Sequence, residues 1–161
     1  MKKVLSHAER IQGLSLEVLD VILPKTFSLS APRLEILDIG IETVFSPWPS
    51  IDYGDFPLLR VLKLTDCPLP WHSFNLSGVT TLFLPRVPAQ NIVEFLAIVC
   101  RMQALIVLHL EHALSIPSGG AFSVSPTVNL PHLACLFVAA PLPTVVALLS
   151  CINIPLKTHS G

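Results

Sequence analysis

Histidine and cysteine are the residues of this chain with the best claim to chemistry: there are six of the first and four of the second. His109 and His112 have the spacing H-x-x-H, and Cys135 follows His132 by three residues. Imidazole and thiolate are zinc ligands, but a zinc site needs four that converge, each oriented by a second shell. A strand through His109 aims it at one sheet face and leaves His112 in the turn beyond, so the pair diverges. Solvated histidines are therefore the expectation, and no metal or other cofactor is expected. A cysteine becomes a nucleophile when a nearby cation or base lowers its pKa. Cys67 has no such neighbour in sequence and reads as a small buried side chain in a turn. Cys100 and Cys151 lie in apolar helical segments and read as buried. Asp52 and Asp55 lie either side of Tyr53 in a loop, with no partner to divide acid and base roles between them. G-x-S-x-G, a Gly-rich phosphate loop and H-E-x-x-H are all missing, and Gly119-Gly120 lacks the helix start that a phosphate site requires. The expectation is a protein that is not an enzyme.

What must position these residues is a chain of 161 residues, enough for one domain spanning 1–161 with a sizeable core. Apolar residues make up 52% and charged ones 13%, about half the usual charged share. The net charge of −1 gives no electrostatic footprint for nucleic acid or for an anionic membrane. No C-x-x-C and no secretory signal accompany the four cysteines, since Ser6, His7, Glu9 and Arg10 interrupt any apolar run behind Met1-Lys2-Lys3. Reduced thiols and an intracellular, cytoplasmic or nuclear setting follow as expectations. Leu133 to Leu156 is free of charge over 24 residues, long enough to span a bilayer, but Pro141 and Pro143 interrupt it. A buried strand, a turn and a buried helix account for the same run; a membrane-associated segment over 133–156 is the alternative.

The organising pattern is L-x-x-L-x-L. It is clearest at Leu59, Leu62 and Leu64, with Cys67 three residues later and Leu69 beyond. Matches in phase begin at Ile11, Leu34, Leu59, Val79, Leu105 and Leu133, at intervals of 20 to 28 residues. That is the frame of a leucine-rich repeat, about six of them, each a strand plus a return segment. Pro32, Pro57 and Pro131 stand two positions ahead of three of the matches, where a missing N–H does no harm. Ile92, Phe95, Leu96 and Val99 form one face of a helix over about Gln90 to Met102, with Glu94 and Arg101 placed to suit its dipole. Val145, Leu148, Leu149 and Ile152 predict another, with Pro143 in its first turn. A short helix fits Glu17 to Leu23. Ser46 to Ser50 and Ser115 to Val128 read as loops.

The fold class that follows is α/β: a short, open solenoid with a parallel sheet on the concave side and helices or loops on the convex side. The core rungs would be Leu37, Leu62, Leu82, Leu108 and Leu136, then Ile39, Leu64, Leu84, Leu110 and Val138.

Ala31 to Leu37, Pro57 to Leu64 followed by Pro70-Trp71, and Leu130 to Leu133 also carry a family likeness. The chain resembles the repeat region of the F-box/leucine-rich-repeat proteins abundant in mushroom-forming fungi. The resemblance implies a protein–protein interaction module, the substrate-recognition repeats of an F-box-type ubiquitin-ligase adaptor. No three-helix F-box module precedes Ile11, so a stand-alone interaction scaffold with no ligase link is the alternative. The first strand near Ile11 and the start of another at Ile154-Pro155-Leu156 leave both ends without polar caps, as in a fragment. Uncapped ends predict association at high concentration.

Alternation along the strands predicts the binding face. Ser15, Asp38, Lys63, Phe83, His109 and Phe137 should line up on the solvent side of the sheet, with Asp38 and Lys63 able to pair. Phe83 and Phe137 flanking His109 read as contact anchors for a protein partner. A shift of phase by one residue, or a loop folded over them, would make the same rings core.

Overall fold

The computed structural model describes residues 8–19, 26–29, 31–42, 50–53, 56–67, 76–87, 90–115 and 127–154. These form an α/β structure around an open six-stranded parallel sheet. Its strands are β1 (Gly13–Leu19), β3 (Ile36–Glu42), β5 (Val61–Thr65), β6 (Thr81–Pro85), β8 (Val107–Glu111) and β11 (Cys135–Ala139), neighbours in that order. Between them run short return strands that pair, also parallel, with one another. These are β2 (Thr26–Leu29) with β4 (Ser50–Tyr53), β7 (Gln90–Asn91) with β9 (Leu114–Ser115), and β10 (Val128–Asn129) with β12 (Ile152–Asn153). Two helices complete the return segments, α1 (Ile92–Val99) and α2 (Leu142–Cys151).

The same local device starts five of the six main strands. Leu34, Leu59, Val79, Leu105 and Leu133 each donate an N–H to the carbonyl three residues back, on Ala31, Phe56, Leu76, Met102 and Leu130, at 3.0–3.2 Å. Pro32, Pro57 and Pro131 occupy the second position of such turns, where proline's fixed φ is already correct. The next two N–H groups then share one carbonyl of the preceding unit. Arg60 and Val61 both donate to Glu35, Thr80 and Thr81 to Arg60, Ile106 and Val107 to Thr80, and Ala134 and Cys135 to Ile106. Successive strands are locked in one register by this hand-over, and the buried leucines fall into line.

Period-two alternation then sorts the side chains. Leu37, Leu62, Leu82 and Leu108 are fully buried, as are Ile39, Leu64, Leu84 and Leu110 to within 2%. Leu136 and Val138 occupy the same positions in β11 but are only half-buried. One continuous core joins these rungs to Ile92, Phe95, Leu96 and Val99 of α1 and to Leu148 and Cys151 of α2. At the far end of β5, β6 and β8 the chain turns through Asp66, Arg86 and His112, each with φ of 52°. Their N–H groups donate to Pro85, Glu111 and Ala139, one strand further on. The residues that follow, Cys67, Val87 and Ala113, are buried. Main-chain bonds to the next strand thus satisfy the N–H groups of these turns, and a small or apolar residue is buried directly after each.

Several sequence expectations need correction. Glu17 to Leu19 belong to β1, not to a helix; Leu14 and Leu16 alternate with the exposed Ser15 and Glu17, and seven paired residues with β3 outweigh a short helical pattern. Residues 20–23 lie outside the described residues. Helix α1 is shorter than expected because Gln90 and Asn91 pair as a strand and Asn91 caps the helix, its Oδ1 accepting from Val93 N–H at 2.9 Å. Arg101 falls past the last turn. Helix α2 buries Thr144, Leu148 and Cys151 rather than the stripe through Val145 and Leu149, and Ile152 has already passed into β12. The loops expected over Ser46 to Ser50 and Ser115 to Val128 lose Ser50 to β4, Ser115 to β9 and Val128 to β10, where each is paired in a parallel strand. Residues 46–49 and 116–126, together with Asp55, Leu69, Pro70-Trp71 and Pro155-Leu156, lie outside the described residues.

Candidate binding face of the sheet

On the side away from the core, the register sets Ser15 beside Asp38, Asp38 beside Lys63, Lys63 beside Phe83, Phe83 beside His109, and His109 beside Phe137. The expected phase is therefore the phase of the structure, with no shift by one. Lys63 Nζ lies 3.2 Å from Asp38 Oδ2, and both side chains are partly solvated. A pair of this kind contributes little to stability, about 0–1 kcal/mol. Its other effect is to hold the ammonium in place, 5.9 Å from the centre of the Phe83 ring, at the outer limit of a cation–π contact.

The rings beyond are stacked. Phe83 and His109 have centroids 3.8 Å apart with planes at 22°, and His109 and Phe137 are 4.2 Å apart at 13°. Adjacent parallel strands lie about 4.8 Å apart, so side chains in register can stack with little adjustment. His109 is consequently not a solvated histidine: its side chain is 18% exposed, held between two phenyl faces. Its Nε2 has no hydrogen-bond partner among the described residues, and Glu111 Oε2, at 4.0 Å, is too far for a hydrogen bond. Phe137, last in the row, is 48% exposed.

Glu111 was not among the residues singled out by sequence. The signal was present, since it lies two residues after His109 on the same strand and so shares its face. Two further rows frame the central one. Ile36, Val61, Thr81, Val107 and Cys135 run along one side, and Pro85, Glu111 and Ala139 along the other, with Gly40 beside Thr65 at the β3–β5 end. Ile36 and Cys135 are exposed and Val61, Thr81 and Val107 half-buried, so this row is largely apolar.

At the strand ends Arg86 and Asp66 form a two-pronged ion pair, with Nε donating at 3.1 Å to either carboxylate oxygen and Nη2 to Oδ2 at 2.8 Å. It links two successive turns, and both residues are substantially exposed.

The remaining candidates do not come together. His112 sits in the turn with positive φ, and His132 is exposed. Among the described residues no three of His, Cys, Asp and Glu are grouped to hold a metal. Cys67 and Cys151 are buried and Cys135 is exposed. Cys100, expected to be buried, is exposed: α1 ends at Val99, so its apolar face stops one residue short, and the Sγ donates to the Ala97 carbonyl at 3.0 Å. Asp52 lies on β4. The run from Leu133 to Ile154 divides into β11, α2 and β12, and no helix among the described residues is long and apolar enough to cross a membrane.

Compared with family models, with curated proteins and with solved structures, the chain matches none.

Proposed function

We propose that this chain is a leucine-rich-repeat module that binds another protein across the solvent side of its six-stranded sheet, without catalysis. The observation that carries the reading is the stacked row Phe83–His109–Phe137 in line with the Lys63–Asp38 pair, on the sheet face opposite the core. Rigid aromatic faces beside a fixed ion pair are what protein hot spots are made of: large contact area at little ordering cost, with a charge to set orientation. The repeat reading is supported by the turn and shared carbonyl that recur at five of the six in-phase L-x-x-L-x-L matches. In a solenoid of this type the exposed sheet face is the concave one.

The biological role follows the family likeness: substrate recognition inside the cell for an F-box-type ubiquitin-ligase adaptor. A full-length gene product with a three-helix F-box segment ahead of Ile11 supports that role, and one without it leaves a scaffold with no ligase link.

A displayed peptide library selected on the wild-type chain tests the face itself. The selected ligand should lose at least tenfold in affinity for Phe83→Ser/Phe137→Ser while circular dichroism is unchanged. Because Phe83 is half-buried, Phe137→Ser alone is the companion variant. A ligand that binds both variants as tightly as wild type contradicts the proposal.

A further inference from the structure

The last strand of the sheet is finished differently from the four inner ones, and its core-facing pair is half-buried like Leu14 and Leu16 of the other edge strand, β1. In β3, β5, β6 and β8 the core-facing pair of side chains is at most 2% exposed. In β11 the same pair, Leu136 and Val138, is only half-buried, and Cys135 and Phe137 on the opposite side are exposed. Helix α2, next in the chain, exposes Leu142, Val146 and Leu149, an i, i+4, i+7 stripe.

Among the described residues no strand pairs with the outer edge of β11, and its hydrogen bonds show which groups face that edge. Cys135 donates its N–H to Ile106 at 3.0 Å, and Ala139 accepts from His112 at 2.8 Å, both toward β8. Backbone groups alternate sides along a strand, so Leu136 and Val138 turn theirs to the open edge. Proteins usually guard such an edge with charge or proline. No residue from Leu133 to Ile154 is charged, and β11 contains no proline. The opposite edge, β1, carries Glu17, with Glu9 and Arg10 just before it.

We propose that β11 pairs antiparallel with β11 of a second copy of this chain, about a two-fold axis at Phe137, joining two six-stranded sheets into one. This register uses all five residues of the strand. Leu136 meets Val138 of the second copy, twice by symmetry, as the hydrogen-bonded pairs that their outward backbone groups require. Phe137 meets itself and Cys135 meets Ala139 as the closer non-hydrogen-bonded pairs, with Cα atoms about 4.5 Å apart. Every pair is apolar against apolar, so the strand is its own complement and the assembly closes at two. Head-to-tail pairing with β1 would instead bring Glu17 toward a strand that offers no cation. In the closed dimer the Phe83–His109–Phe137 stack continues through the axis into the two-fold-related series of the second copy.

The experiment uses the whole chain, and none of its readouts involves another protein, so it stands or falls apart from the proposed function. Sedimentation should show a dimer that dissociates on dilution. Val138→Pro removes an outward N–H and no bond to β8, so it should weaken dimerisation at least tenfold with circular dichroism unchanged. In a Cys100→Ser background, A139C should give an interchain disulfide between the introduced thiol and Cys135 on copper–phenanthroline oxidation, mapped by mass spectrometry. Cys100→Ser alone should not cross-link, because Cys135 and its symmetry mate lie roughly 14 Å apart along the strands. The cross-link also decides the matter if Val138→Pro fails to fold. A monomer at every concentration overturns the proposal, as does a dimer lacking the A139C cross-link.

Discussion

Helices α1 and α2 each lie in the return segment of a unit, yet they are built to different standards. Helix α1 is capped by Asn91 and buries Ile92, Phe95, Leu96 and Val99. Helix α2 starts at Pro141 with no side-chain cap, buries Thr144, Leu148 and Cys151, and leaves three large apolar residues in solvent. The strands tell the same story, since Leu108 and Leu110 of β8 are buried while Leu136 and Val138 of β11 are not. Burial in this fold is supplied largely by the unit that stacks next, not by a residue's own unit. A unit flanked on both sides by described strands has a core, whereas the unit of β11, flanked on one side among the described residues, has half of one.

The strongest way to break that comparison is to truncate equivalent rungs. Leu82→Ala or Leu108→Ala should lower stability by about 2–5 kcal/mol, the range for a fully enclosed leucine. Leu136→Ala should cost about half as much, because part of its side chain is already in water. Equal costs from urea denaturation would mean that neighbouring units do not supply the burial.

Helix capping sharpens it at a smaller scale. Asn91→Ala should destabilise by about 1 kcal/mol by leaving the Val93 N–H unsatisfied. Pro141→Ser, which offers α2 the cap it lacks, should gain up to about 1 kcal/mol. Thermal melts of the two variants should move in opposite directions.

The turn residues come next. His112 adopts φ of 52° with an exposed side chain. His112→Gly relieves the left-handed strain but loosens the unfolded chain, so the expected net gain is a few tenths of a kcal/mol. A loss above about 1 kcal/mol in the same melt would show that the imidazole holds the turn.

The smallest effect belongs to the ion pair on the sheet. Asp38→Ala should change stability by less than about 1 kcal/mol, and less still in high salt. A larger loss, insensitive to salt, would mean that the pair is not a surface one.

Much of this architecture could be read from residue order alone. Matches at Leu34, Leu59, Val79, Leu105 and Leu133 placed five main strands, and alternation along them placed Asp38, Lys63, Phe83, His109 and Phe137 on one face. What escaped has physical reasons. Return strands of two residues, such as Gln90–Asn91, are too short to show a period. Arg86 is a poor marker of positive φ, a conformation enriched in glycine, asparagine, aspartate and histidine. The expectation of a helix from Glu17 failed because Leu14 and Leu16 fit a strand equally well and pairing with β3 decided between them. Close stacking of His109 between two rings is set by strand spacing, which no single strand's sequence contains.

The central functional claim is that recognition uses the exposed side of the sheet. It is tested most directly by methyl NMR of the chain with and without a library-selected ligand. Ile36, Val61 and Val107 carry methyl groups on that side, whereas Val93 and Leu142 are exposed on the helices. The account predicts that the first three shift on binding while Val93 and Leu142 stay in place; shifts confined to the helix methyls would contradict it.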